Sequence, residues 1–244
     1  MVSMKYLSYF LLLISLALLG FFVYKNYFDK SSVKAENNIR DGSTVLSSEE
    51  IRQEYKIVAF GDSLTAGYAV DLKDAYPSIL EEVLNKEARD KNVSIKVVNM
   101  GVSGETSSGG LDRVDFVISQ NPDLVLLGLG ANDMLRATDP SLIKNNLEKI
   151  IKSFTDKNIP VILLGMESQV SNGINYKIDF DSIYPDLSKN YKLPLVPFFL
   201  EGVALVPHLN TSDGIHPNRS GYEKIIDDNI MNVLLPYLEK IRIL

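Results

Sequence analysis

Apolar and polar positions in residues 55–244 follow two rhythms. Near-continuous apolar runs occur at "YKIVAF" (55–60), "VSIKVVNM" (93–100), "DLVLLGLG" (123–130), "PVILLGM" (160–166) and "LPLVPF" (193–198). Each reads as a strand, and near-continuous apolar strands are those covered on both faces of a sheet. Between the runs, apolar residues recur at helical spacing. Tyr76, Ile79, Leu80, Val83 and Leu84 mark a helix in "DAYPSILEEVLNKEAR", with Asp74 as the expected cap and Pro77 in the first turn. A second helix is expected over 107–119. Asp139 followed by Pro140 predicts a cap and a first-turn proline. Leu142, Ile143, Leu147, Ile150, Ile151 and Phe154 then carry a third helix. Residues 176–191 read as helical, kinked or split by Pro185. The last helix is expected from about Ser220 to Glu239, with Ile225, Ile226, Ile230, Val233, Leu234 and Leu238 on one face.

Strands alternating with helices at this spacing predict an α/β domain over 55–244: a parallel sheet with helices on both faces. Ligands of such sheets bind beyond the carboxyl ends of the strands. A functional site should therefore be written in the residues that follow each apolar run.

The chain ahead of this domain has a different pattern. Residues 6–24, "YLSYFLLLISLALLGFFVY", carry no charge and lie between Lys5 and Lys25. At 1.5 Å per residue such a segment can cross a hydrocarbon core of about 30 Å. A cleaved signal would need small residues after the apolar stretch, where this chain has the bulky "FFVYKNYF". Residues 1–24 are therefore expected to be a membrane anchor, with a signal segment and a secreted product as the alternative. Flanking charges lean slightly towards a cytoplasmic N-terminus. Residues 25–54 read as a polar linker, in which "SSEEIRQE" could form a turn or two of helix capped by Ser47 or Ser48.

Composition removes several possibilities. The formal net charge of -6 gives no basic footprint for nucleic acid. With 0 cysteines there is no thiol nucleophile, disulfide or thiolate metal site. The 2 histidines, His208 and His216, exclude a three-histidine metal site and confine any histidine base to two positions.

Four short stretches carry candidate chemistry. "GDSLTAGY" (61–68) follows the first run, and its Ser63 is either a nucleophile or a helix-capping hydroxyl. It is not the G-x-S-x-G elbow, because Gly67 stands four residues after the serine. "GVSGETSSGG" begins at Gly101 after the second run, and Gly101 offers either an unobstructed N–H or a tight turn. "GANDML" begins at Gly130 after the third. Its Asn132 can donate to a developing oxyanion or close an Asx-turn. "DGIHPNRSGY" (213–222) precedes the last helix. There Asp213 and His216 either form a carboxylate–imidazole pair, or Asp213 caps that helix. With a carboxylate on one ring nitrogen, the other is free to take a serine proton. One active site explains all four stretches together.

With their order and strand-end contexts, "GDSLTAGY", "NMGVSGETSSGGLDR", "LGANDMLR" and "DGIHPNRSGY" resemble the four blocks of the SGNH (GDSL) hydrolases. They are most similar to the branch of bacterial arylesterases and the thioesterase–lysophospholipases. The resemblance implies a three-layer α/β/α sandwich with five parallel strands in flavodoxin-like order. It implies Ser63 as nucleophile, His216 as base and Asp213 as its orienting acid. It also implies an oxyanion hole of the Ser63 amide, the Gly101 amide and the Asn132 side chain. The implied reaction is hydrolysis of acyl esters or thioesters, lysophospholipids among them, outside the cytoplasm and without metal or organic cofactor. One departure bears on substrate. That branch often carries a proline- and asparagine-containing loop after the fourth strand, where this chain reads "GMESQVSNGINY". Acyl-chain preference therefore does not carry over. Two other readings remain: an O-acetyl esterase of cell-wall or extracellular polysaccharide, and a non-catalytic membrane-tethered binding module. The 0 tryptophans weigh slightly against sugar stacking.

Overall fold

A computed structural model describes residues 52–244. The expected anchor over 1–24, and the expected linker and its helical turns up to residue 51, lie outside the described residues. Gln53 and Glu54 already belong to the first strand.

The sheet has five strands, all paired in parallel: β1 Gln53–Gly61, β2 Val93–Gly101, β3 Leu124–Gly128, β4 Val161–Leu164 and β5 Leu195–Val196. Their order is β2-β1-β3-β4-β5, the flavodoxin-like arrangement. Ile57 to Phe60 and Leu124 to Leu126 have no exposed surface, which is why these runs contain no polar residue. In register, β1, β2 and β3 end on Gly61, Gly101 and Gly128.

The helices are α1 Ser63–Ala66, α2 Tyr76–Glu87, α3 Ser107–Asp112, α4 Val114–Ile118, α5 Ala131–Leu135, α6 Pro140–Thr155, α7 Ile174–Asp181, α8 Ile183–Tyr191, α9 Arg219–Ile225 and α10 Met231–Lys240. A π turn, Ile226–Ile230, joins the last two. In one layer α6 packs on α3, α4, α7 and α8, and in the other α2 packs on α1 and α9. Asp139 caps α6 through the Ser141 N–H at 2.8 Å, with Pro140 in the first turn, as its sequence predicts.

Three local expectations are corrected. Asp74 does not cap α2. Ala75 occupies the cap position without a side-chain bond, and the Asp74 carboxylate accepts from Arg219 Nη1 at 2.6 Å. The helix expected over 107–119 is two helices meeting at Arg113, whose guanidinium reaches the main chain at the strand ends. The 176–191 segment is also two helices. The break falls at Ser182, and Pro185 lies in the first turn of α8, where a missing N–H costs nothing.

Candidate active site

Ser63 opens a helix of only four residues set on the end of the central strand β1. Asp62 caps it, its Oδ1 accepting from the Leu64 N–H at 3.0 Å. Gly67 stops it with φ 78°, a left-handed conformation that glycine adopts freely. Capping therefore belongs to Asp62, and the Ser63 hydroxyl is left for other work.

That hydroxyl meets His216 Nε2 at 2.9 Å, and His216 Nδ1 lies 2.7 Å from Asp213 Oδ2. Ser63, His216 and Asp213 are thus one connected chain. The second carboxylate oxygen of Asp213 accepts from the Ile215 N–H at 2.8 Å, the His216 N–H at 3.0 Å and Thr211 Oγ1 at 2.9 Å. These bonds, led by the His216 amide, hold the Asp213 carboxyl well below the usual carboxylate range. It stays ionised at neutral pH. Asp213 is not a helix cap; Asn218 caps α9 by accepting from the Gly221 N–H at 3.1 Å. The loop itself is pinned. Asn210 bridges to Pro217 across it, and the Thr211 N–H donates to the His216 carbonyl at 2.8 Å. His208 lies elsewhere, exposed in the short turn Pro207–Leu209, where its carbonyl accepts from Asn218 Nδ2 at 2.9 Å.

Asn132 sits in the first turn of α5 rather than in an Asx-turn, and its Nδ2 donates to Asp62 Oδ2 at 3.2 Å. One amide hydrogen is held by that bond and the other is left over. The Ser63 N–H has no acceptor among the described residues. Asp133, next in sequence, is buried and receives the Ser107 N–H at 2.7 Å and the Ser107 hydroxyl at 2.8 Å. It fastens the loop after β2 to the helix after β3.

Gly101 departs from its expected part. Its N–H is occupied by Asn99 Oδ1 at 2.9 Å, and a Cβ there would meet Ala66 N at 2.1 Å. Its glycine is required because the Ser63 helix lies against it. Three residues on, Gly104 is exposed, has φ 80°, and its N–H finds no acceptor among the described residues. Arg136, at the C-terminal cap of α5, donates to the Gly104 carbonyl at 3.0 Å. That bond ties the loop after β2 to the end of α5.

Residues that sequence reasoning passed over complete the site. Asp62 is 1% exposed and bridges α1 to Asn132; burial pushes its carboxyl up to about 6, against the opposing pull of the Leu64 N–H, the His216 charge and Asn132. Arg113 donates to the carbonyls of Met100 at 2.8 Å and Gly61 at 3.3 Å, pairs with Glu105, and stacks on Phe60. It ties the ends of β1 and β2 to the Gly104 loop. The acid inside "GDS" was the available signal for Asp62; nothing local marks Arg113.

A hydroxyl on one imidazole nitrogen and an ionised carboxylate on the other allow the hydroxyl to lose its proton as it attacks a carbonyl. Unoccupied N–H donors near such a serine suit the negative oxygen that the attack creates. Among the described residues there is no acid–histidine group that could hold a metal ion.

Comparison with known proteins agrees with this chemistry. The GDSL-like lipase/acylhydrolase family model matches residues 59–224. The chain is 37% identical over 163 residues to an arylesterase of Vibrio mimicus, covering 66% of this chain and 80% of that one. It is 36% identical over 172 residues to thioesterase 1/protease 1/lysophospholipase L1 of Escherichia coli strain K12, covering 70% and 79% of the two chains. The crystal structure of AlinE4, an SGNH-hydrolase family esterase, superposes with a TM-score of 0.61 at 37% identity, over 77% of this chain and 96% of that one. The chain belongs to the GDSL-like lipase/acylhydrolase family, the SGNH hydrolases, and is a serine ester hydrolase.

Proposed function

We propose that this protein hydrolyses carboxylic acyl esters and thioesters through an acyl-enzyme on Ser63. The observation that carries the reading is the continuous chain from Ser63 Oγ to His216 at 2.9 Å and on to Asp213 at 2.7 Å. His216 Nε2 takes the Ser63 proton as Oγ bonds to the acyl carbon. Asp213 holds the ring in the tautomer that exposes Nε2 as acceptor, and stabilises the imidazolium that forms. The negative oxygen is received by the Ser63 N–H, the leftover Asn132 amide hydrogen and, in place of Gly101, the Gly104 N–H. Cleavage of the acyl–oxygen or acyl–sulfur bond passes the His216 proton to the departing alcohol or thiol. Water then adds to the acyl carbon and gives a proton to His216. The Oγ–carbon bond breaks, the acid leaves, and the proton returns to Ser63.

Ser63→Ala tests the assignment. Hydrolysis of p-nitrophenyl acyl esters should fall by several orders of magnitude, while the circular dichroism spectrum and thermal midpoint stay those of the parent. Full turnover in the variant removes Ser63 from the mechanism.

The natural esters are placed at a membrane surface. What supports this is the uncharged segment 6–24 and the polar stretch that separates it from the domain. Lysophospholipids and other amphiphilic esters would be met there. Among the described residues no helix is long and apolar enough to cross a membrane; in this reading residues 6–24 supply the attachment. Fractionation and external protease treatment of spheroplasts test it. A membrane-bound form digested from outside supports an outward-facing tethered enzyme, and complete protection overturns it.

A further inference from the structure

His216 is held at both ring nitrogens, and something also covers its face. The bonds to Ser63 and Asp213 run along the two nitrogens and define an axis. Rotation of the imidazole about that axis is limited only by whatever faces the ring. Tyr68 does so, with ring centroids 4.7 Å apart and planes inclined at 47°. Its placement is written in the nucleophile block. Gly67 ends α1 in the left-handed conformation, and the N–H groups of Gly67 and Tyr68 both close on the Ser63 carbonyl at 3.1 Å. The chain is thereby turned back so that the next side chain lies against the base.

The ring is not there for burial. Tyr68 is 51% exposed, and its hydroxyl has no hydrogen-bond partner among the described residues. A large aromatic that is half exposed and makes no side-chain hydrogen bond among the described residues, set against the imidazole, needs a reason. The reason is charge. During attack the imidazole becomes a cation, and the face of an aromatic ring attracts a cation within about 6 Å.

We infer that Tyr68 is a positioning residue for the reaction: its ring restrains the tilt of His216 and favours the imidazolium formed when Ser63 attacks. The inference rests on His216 acting as the base. The titratable groups facing His216 are Asp213 from its own loop, Asp62 from the end of β1 and Tyr68 itself. None of the others is altered by substitution at Tyr68.

The test uses the full-length chain and a soluble ester, p-nitrophenyl butyrate, with Tyr68→Ala, Tyr68→Leu and Tyr68→Phe compared by kcat, KM and pH profile. Tyr68→Ala and Tyr68→Leu should lower kcat about three- to tenfold with KM near that of the parent, the range expected for a lost cation–ring contact. The acid limb of kcat/KM should move to lower pH in both, because the base binds its proton less tightly. Tyr68→Phe, which keeps the ring, should recover most of the rate. Recovery by Leu would mean that bulk alone matters and overturns the inference. A raised KM with intact kcat would make Tyr68 a substrate contact and overturns it also, as does an acid limb that stays in place. If His216→Asn keeps its rate, the base assignment falls and this inference with it. Failure of the Tyr68 variants alone leaves that assignment standing.

Discussion

Replacing Asp62 by asparagine should stabilise the protein at alkaline pH and weaken it as an enzyme. Asp62 is 1% exposed, yet as a carboxylate it receives only the Leu64 N–H at 3.0 Å and Asn132 Nδ2 at 3.2 Å. Two bonds do not replace the hydration of an ion, and burial raises the carboxyl from 3.8 to about 6. That displacement sets about 3 kcal/mol against the ionised fold well above pH 6. The sign follows from an acid whose folded value lies above its unfolded one. The penalty is full at pH 8 and fades as pH falls through 6 towards 4. Asparagine keeps the shape and removes the charge. Its single acceptor oxygen can serve Leu64 or Asn132 but not both, a loss of about 1 kcal/mol. The expected net gain at pH 8 is about 2 kcal/mol, or about 5 °C in Tm for a domain of this size. At pH 4.5 the parent is itself largely neutral at this position and the gain disappears. Activity should fall at least about tenfold, because Asn132 loses the group that aims it and an oxyanion donor is worth about 3 kcal/mol. Thermal unfolding of parent and variant at both pH values reads the effect. Titrating groups that do not interact with Asp62 cancel in the difference. A variant less stable than the parent at pH 8, or an equal gain at both pH values, refutes the reasoning.

Three shorter predictions follow. His216→Asn should lose about four orders of magnitude in kcat/KM, whereas His208→Asn should keep most activity; the reverse ranking sinks the base assignment. Asn132→Ala should lower kcat about a hundredfold with little change in KM, since an oxyanion donor acts in the transition state; a pure KM effect would reduce it to a substrate-positioning group. Gly101→Ala should reduce folded yield and thermal stability, because its Cβ would lie 2.1 Å from Ala66 N; a stable Gly101→Ala protein with only kcat impaired would reinstate the Gly101 amide in the oxyanion hole.

The sheet was legible because its central strands are covered on both faces, so that Ile57 to Phe60 could only be apolar. The order of the blocks also placed three of them at the carboxyl edge, where β1, β2 and β3 end in register. What escaped the sequence depends on partners far along the chain. Asp74 has the look of a cap, but Arg219 takes its carboxylate from 145 residues away. The helix over 107–119 breaks where Arg113 turns to the carbonyls of β1 and β2, a demand that helical periodicity cannot express. Gly101 and Gly104 both read as glycines after a strand. Only the packing of α1 shows that one yields space to Ala66 while the other leaves its N–H unpartnered.

The strand order explains why the base comes from the end of the chain. Ser63 follows the end of β1, which has β2 on one side and β3 on the other. Gly104 follows β2 and Asn132 follows β3, so the donors proposed for the oxyanion come from the ends of the two flanking strands. Those positions are then filled. The ends of β4 and β5 lie two and three strands away, about 10 and 14 Å at normal sheet spacing, too far for a side chain on their first residues to reach Ser63 Oγ. A base must descend from above the edge, and the loop before α9 is placed to supply it. Tyr222 of α9, fully buried, donates its hydroxyl to the Leu64 carbonyl at 3.0 Å and so ties that helix to the one bearing Ser63. The pinned loop before α9 then needs to span only a few residues to set His216 at 2.9 Å from the hydroxyl. Its distance from Ser63 along the chain is large, but its attachment is to the same short helix.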